Sequence, residues 1–84
     1  MAVKAYILIT AETALTPDVV EALRRLPHVR DANEVIGPYD AIAEVEAEEF
    51  DQVSRILREE VRSIPGIRNT LTCVAISPWR RGSF

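Results

Sequence analysis

Leu23-Arg24-Arg25-Leu26-Pro27-His28-Val29-Arg30 recurs 38 residues later as Val61-Arg62-Ser63-Ile64-Pro65-Gly66-Ile67-Arg68. In each copy an apolar pair at helical spacing runs into a proline, which cannot continue a helix, and a β-branched residue follows. The stretch is the junction where a helix hands over to a strand, and it occurs twice. Ahead of the first copy, Thr16-Pro17-Asp18 offers an N-cap hydroxyl, a proline at the first helical position and an acid in the first turn. Val19, Val20, Leu23 and Leu26 then follow at helical spacing. Ahead of the second copy, Glu48 and Glu49 open a longer helix with a buried stripe of Phe50, Val53, Leu57, Val61 and Ile64. Strands are predicted over residues 3–11, 29–36, 39–47 and 67–77, with Gly37-Pro38 as a turn. The same shift carries Ala5, Ile7 and Ile9 onto Ala43, Val45 and Ala47. The order βαββαβ, with two right-handed crossovers, predicts an α+β ferredoxin-like sandwich, a four-stranded antiparallel sheet with both helices on one face. The domain is expected to span residues 1–77, with 78–84 as a tail lacking any period.

Composition narrows the function. Eighty-four residues make one small domain, and 48% apolar with 27% charged residues is a globular balance. A single cysteine, Cys73, excludes an intramolecular disulfide. No apolar run approaches the roughly 20 residues of a membrane helix, and no secretory stretch opens the chain, so a cytoplasmic location and no membrane partner are expected. The net charge of −3 argues against direct nucleic-acid binding, which needs clustered Lys and Arg.

Chemistry-bearing groups are sparse. His28 reads as a turn residue at a helix C-terminus, and Cys73 as a small apolar core residue. No His/Cys pair stands at metal-ligand spacing, and Gly37, Gly66 and Gly82 form no phosphate loop, so no cofactor is expected. Glu44, Glu46, Glu48 and Glu49 read as strand-face solvation and helix-dipole complements. Parity places Ala5, Ile7, Ile9, Val35, Ala43, Val45, Leu71, Cys73 and Ala75 under the helices. The opposite parity, which one covered face would leave wet, holds Tyr6, Leu8, Ile36, Ile42, Val74 and Ile76 among Glu34, Glu44, Glu46, Thr70 and Thr72. Such a patch predicts a dimer packed sheet to sheet. The segment Val35-Ile36-Gly37-Pro38-Tyr39-Asp40 offers a ring, a hydroxyl, a carboxylate and backbone groups freed by a glycine before proline. It suits a zwitterion; a tight hairpin with a capping aspartate is the plain alternative.

Glu34-Val35-Ile36-Gly37-Pro38-Tyr39-Asp40-Ala41-Ile42-Ala43-Glu44-Val45, with Ile64-Pro65-Gly66-Ile67 and Asn69-Thr70-Leu71-Thr72-Cys73-Val74, resembles the effector domain of the Lrp/AsnC regulators, the RAM domain. The resemblance covers residues 3 to 77. It implies a fold that dimerises through its sheet, assembles dimers further and holds amino-acid effectors between them. Carried over, the effector pocket takes Gly37, Tyr39 and Asp40 from the turn and Thr70 and Thr72 from the last strand. Family members carry a helix-turn-helix ahead of this domain, so the resemblance implies a stand-alone effector module. Its expected role is a non-enzymatic sensor of an amino acid or related small metabolite, a homo-oligomer able to co-assemble with a full-length regulator. A cofactor-independent dimeric α/β-barrel enzyme and a purely structural assembly module are the rival readings.

Overall fold

Both helix-to-strand junctions close on the same backbone bonds. Leu26 N–H donates to Leu23 O and Val29 N–H to Leu26 O, each at 3.1 Å; 38 residues on, Ile64 N–H donates to Val61 O at 3.1 Å and Ile67 N–H to Ile64 O at 3.4 Å. In the computed structural model, which describes residues 2–76, the chain runs β1 (Val3–Ala11), a 3₁₀ turn (Thr13–Leu15), α1 (Thr16–Arg24), β2 (Val29–Glu34), β3 (Ala41–Ala47), α2 (Phe50–Ile56), a π-helical turn (Leu57–Val61) and β4 (Ile67–Val74). The tail 78–84 lies outside the described residues. All strand pairs are antiparallel, in the order β2-β3-β1-β4. This is the ferredoxin-like α+β sandwich. Ala5, Ile7, Ile9, Ala32, Ala43 and Val45 line the inner face of the sheet and bury against Val19, Leu23, Val53, Ile56 and Val61 of the helical layer.

Several local expectations are corrected. The strands 29–36 and 39–47 shorten to Val29–Glu34 and Ala41–Ala47, and the last strand, expected over 67–77, is Ile67–Val74, residue 77 lying outside the described residues. Thr16 does not cap its helix; the preceding 3₁₀ turn makes Leu15 the N-cap, and the Thr16 hydroxyl donates back to Glu12 O at 3.1 Å. Phe50 is 60% exposed, and Ile56 takes its place in the buried stripe. Helical side chains lean toward the N-terminus, so a ring on the first turn reaches past the layer it was expected to join. The strand repeat also shifts: Val29 and Ile67 hold equivalent ladder positions 38 apart, but their partners Val45 and Ala11 are 34 apart. Four residues is an even number, so the inner face of β1 and β3 is unchanged.

The face assignment of β4 is reversed. Along β4 the partners of β1 are Ala11↔Ile67, Thr10↔Asn69, Ile9↔Thr70, Leu8↔Leu71, Ile7↔Thr72, Tyr6↔Cys73 and Ala5↔Val74, with Arg68 skipped. A bulge adds one residue, and one residue moves every later side chain to the other face. Thr70, Thr72 and Val74 therefore face the helices, whereas Leu71 and Cys73 lie on the open side. β2 carries the same device: Arg30 is skipped between Val29↔Val45 and Asp31↔Glu44, so Ala32 points inward. Glu34 pairs with Ala41 and also takes the helix side, and Val35 falls beyond the strand. Arg30 and Arg68 are themselves repeat-equivalent. The duplication includes its bulges.

Candidate functional site

Six residues, from Val35 to Asp40, link β2 to β3. Val35 N–H donates to Asp40 O at 3.0 Å and closes the loop. Asp40 N–H donates to Ile9 O at 2.8 Å, while Ala11 N–H donates to its carboxylate Oδ2 at 2.8 Å. Asp40 thus caps the far end of β1 rather than its own hairpin, and its other carboxylate oxygen makes no hydrogen bond among the described residues. Tyr39 is half-buried beside it; Ile36, Gly37 and Pro38 are exposed. The unusual backbone expected at Gly37 is absent: only Gly66, at φ 98°, has positive φ among the described residues. Among the described residues nothing lies within 4 Å of where a Cβ at Gly37 would stand.

Thr70 and Thr72 line a groove of about 420 Å³ between the inner face of β4 and the end of the second helical segment. Leu57 and Arg62 form its helical wall; Ile67, Arg68, Asn69 and Leu71 complete it. The Thr72 hydroxyl is buried and has no partner among the described residues. Arg62 was no candidate from sequence, yet it is the cation that the helical wall brings to the threonines. Thr70 is the β1 ladder partner of Ile9, whose carbonyl takes the Asp40 amide on β1's other edge. The turn and the threonines thus flank one strand from opposite sides, two interstrand spacings, or about 10 Å, apart.

The open face is graded along its rows. Ile42, Leu8 and Leu71 stand side by side on β3, β1 and β4; next come Glu44, Tyr6 and Cys73; then Glu46 and Lys4. Lys4 Nζ pairs with Glu44 at 3.4 Å and Arg30 with Glu46 at 2.8 Å, which leaves Ile42, Leu8 and Leu71 as the apolar row of this face. Tyr6 is 38% and Leu71 50% exposed. Of the six residues expected on this face, Tyr6, Leu8 and Ile42 are there. Val74 faces the core because of the bulge, Ile36 sits on the loop tip, and Ile76 lies beyond the strand end, fully exposed. Leu71 and Cys73 take their place. The signal that could have revealed them was the arginine repeated after each strand's first residue.

A family model described as the Lrp/AsnC ligand binding domain matches residues 4–83. An uncharacterised HTH-type transcriptional regulator of Pyrococcus abyssi is 36% identical over 73 residues, 87% of this chain and 46% of that protein. The chain thus spans about half the length of the curated regulators it matches. The crystal structure of TTHA0845 from Thermus thermophilus superposes with a TM-score of 0.88 at 26% identity, covering 94% of this chain and 99% of that one. A transcriptional regulator of Neisseria meningitidis, solved as its L-Met complex, shares the fold at a TM-score of 0.81 and 14% identity, over 93% of this chain and 52% of that one. Among the described residues no helix is long and apolar enough to cross a membrane, and no group of three or more His, Cys, Asp or Glu could hold a metal ion.

Proposed function

The chain belongs to the Lrp/AsnC ligand-binding-domain family, and from that premise we propose that it senses an amino acid or related small metabolite and couples its binding to assembly with other copies. The observation that carries this reading is the division of the site. Asp40 and Tyr39 stand on one side of β1 and Thr70 and Thr72 on the other, on flanking strands whose backbones are about 10 Å apart. β1 itself stands between the two sets, with the threonines on the helix side and Asp40 capping the strand's other edge, so a pocket using both sets draws them from different copies. The free oxygen of Asp40 suits an ammonium, and threonine hydroxyls suit a carboxylate. A ligand held between copies stabilises the assembly by its differential affinity for the assembled state. The complex of the neisserial regulator with L-Met supports an amino acid as the ligand class.

Dimers form through the open face, around Tyr6, Leu8, Ile42 and Leu71. Shared sheet contacts let this chain mix with a full-length regulator, which would bring the DNA contact that a chain of net charge −3 does not favour. Calorimetry with each of the twenty amino acids, combined with native mass spectrometry, tests the proposal. Heat and a change in assembly are expected for at least one of them; neither would appear with a purely structural module.

Asp40 separates capping from recognition. Asp40→Asn keeps an oxygen for Ala11 N–H but removes the charge, so it is expected to weaken ligand binding with little change in stability. Asp40→Ala orphans the Ala11 amide and should also cost about 1–2 kcal/mol of unfolding free energy. Urea titration alongside calorimetry reads both, and equal ligand affinity in wild type and Asp40→Asn would confine Asp40 to the cap.

A further inference from the structure

The repeat builds the same hollow twice, and only one copy is plugged. Arg24, Val29, Arg30, Asp31 and Ala32 line a groove of about 170 Å³ beside β2. Their counterparts 38 residues on, Arg62, Ile67, Arg68, Asn69 and Thr70, all line the 420 Å³ groove beside β4. In the first copy α1 packs on β2, Ala32 is fully buried, and Arg24 lies across the strand edge. Its Nε donates to Ala32 O at 2.9 Å and its Nη2 to Asn33 Oδ1 at 3.3 Å.

In the second copy the side chains of that arrangement are changed. Leu71 replaces Asn33 and takes away the side-chain acceptor; Asn69 replaces Asp31 and takes away the acid. Arg62 and Arg68 make no side-chain hydrogen bond or ion pair among the described residues, and none of the eight lining residues is acidic. α2 packs on β3 and β1, which leaves the inner face of the edge strand open. The π turn, closed by Arg62 N–H donating to Leu57 O at 3.0 Å, carries Leu57 and Arg62 to the rim. Such turns concentrate at functional sites. The Thr72 hydroxyl on the opposite wall is buried without a partner among the described residues.

We propose that this groove selects the effector by charge and takes a small dicarboxylate, acidic amino acids included, with Arg62 and Arg68 holding its carboxylates and the Thr72 hydroxyl donating to one of them. Two guanidinium groups with no acid paired to them among the described residues match two negative charges, whereas a zwitterion of zero net charge satisfies only one side of that balance. The inference rests on the sensor reading above and names its ligand class.

Titrating the ¹⁵N-labelled chain with L-glutamate, succinate, L-leucine and L-lysine, followed by amide shifts, tests it. L-glutamate and succinate are expected to move the amides of Arg62, Thr70 and Thr72 saturably at concentrations where L-leucine and L-lysine do not. Arg62→Gln should weaken their binding about tenfold or more, Arg62→Lys less, and added salt should weaken it further. Arg62 is exposed, so both variants should fold, which an unchanged amide spectrum elsewhere will show. Equal responses to L-leucine and succinate, or an Arg62→Gln variant that binds like wild type, would overturn the charge selection. If L-leucine or L-lysine binds and only Asp40→Asn abolishes it, the groove proposal fails and the sensor reading stands. Silence toward all four compounds overturns the groove proposal, and the twenty-amino-acid calorimetry then decides the sensor reading separately.

Discussion

Gly66→Ala is expected to cost about 2–5 kcal/mol of unfolding free energy, a large share of the roughly 4–13 kcal/mol that an 84-residue domain has in total. Two penalties combine. The φ of 98° lies in the left-handed region, where a Cβ costs on the order of 1–2 kcal/mol. That Cβ would also stand 2.9 Å from Leu15 Cβ, 3.1 Å from Leu15 Cδ1 and 3.2 Å from Val19 Cγ2. Leu15 Cβ is fixed to the backbone and cannot swing away, so the start of α1 must shift, at an overpacking cost of about 1–3 kcal/mol. The shift would also strain the bond from Glu12 N–H to Gly66 O, 2.9 Å long, which ties the end of β1 to the turn before β4. Gly37→Ala is the matched control. Its Cβ meets nothing and its φ is not positive, so it should be neutral or stabilising by up to about 1 kcal/mol. Urea denaturation of the two variants reads the difference. A Gly66→Ala protein within about 0.5 kcal/mol of wild type would mean that the turn can adopt another conformation.

Leu71→Glu is expected to turn the proposed sheet-to-sheet dimer into a monomer without unfolding the chain. Leu71 is half-exposed in a single copy, so a carboxylate there stays solvated and the core is untouched. In a sheet-to-sheet dimer the same carboxylate would meet the apolar row of Ile42, Leu8 and Leu71 from the other copy. A two-fold interface carries the change twice, and burying or displacing each charge costs a few kcal/mol. At about 1.4 kcal/mol per decade the dissociation constant should rise on the order of 10²–10⁴-fold. Sedimentation velocity at micromolar concentration measures it. Val74→Glu provides the contrast, because Val74 packs against the core beside Ala5 and its replacement should lower the melting temperature rather than only split the dimer. A Leu71→Glu chain that sediments as the same dimer as wild type would place the contact elsewhere, and a wild type that is already monomeric would remove the proposed dimer altogether.

The amino-acid sequence by itself determined the architecture and the family. Pro27 and Pro65 end helices wherever they occur, since a missing N–H and a fixed φ act locally, and the duplicated octapeptide around them fixes two equal halves. Two βαβ halves with right-handed crossovers leave few ways to interlock, and the observed strand order is one of them. Only the tertiary structure decided which residues of β4 face which way, and with that which ones can form an interface or line a groove. Strand parity is counted from a starting point, so a single unpaired residue at Arg68 sends Leu71 and Cys73 outward and Thr70, Thr72 and Val74 inward, although the composition is unchanged. Whether that residue is absorbed as a bulge depends on the pairing with β1, a contact between segments nearly sixty positions apart. The same holds for Asp40, whose role was read from its own turn but whose carboxylate reaches across to Ala11 on another strand. It holds for Arg62 as well: its likeness to Arg24 is written in the repeat, but that it finds no partner among the described residues follows from where α2 settles on the sheet.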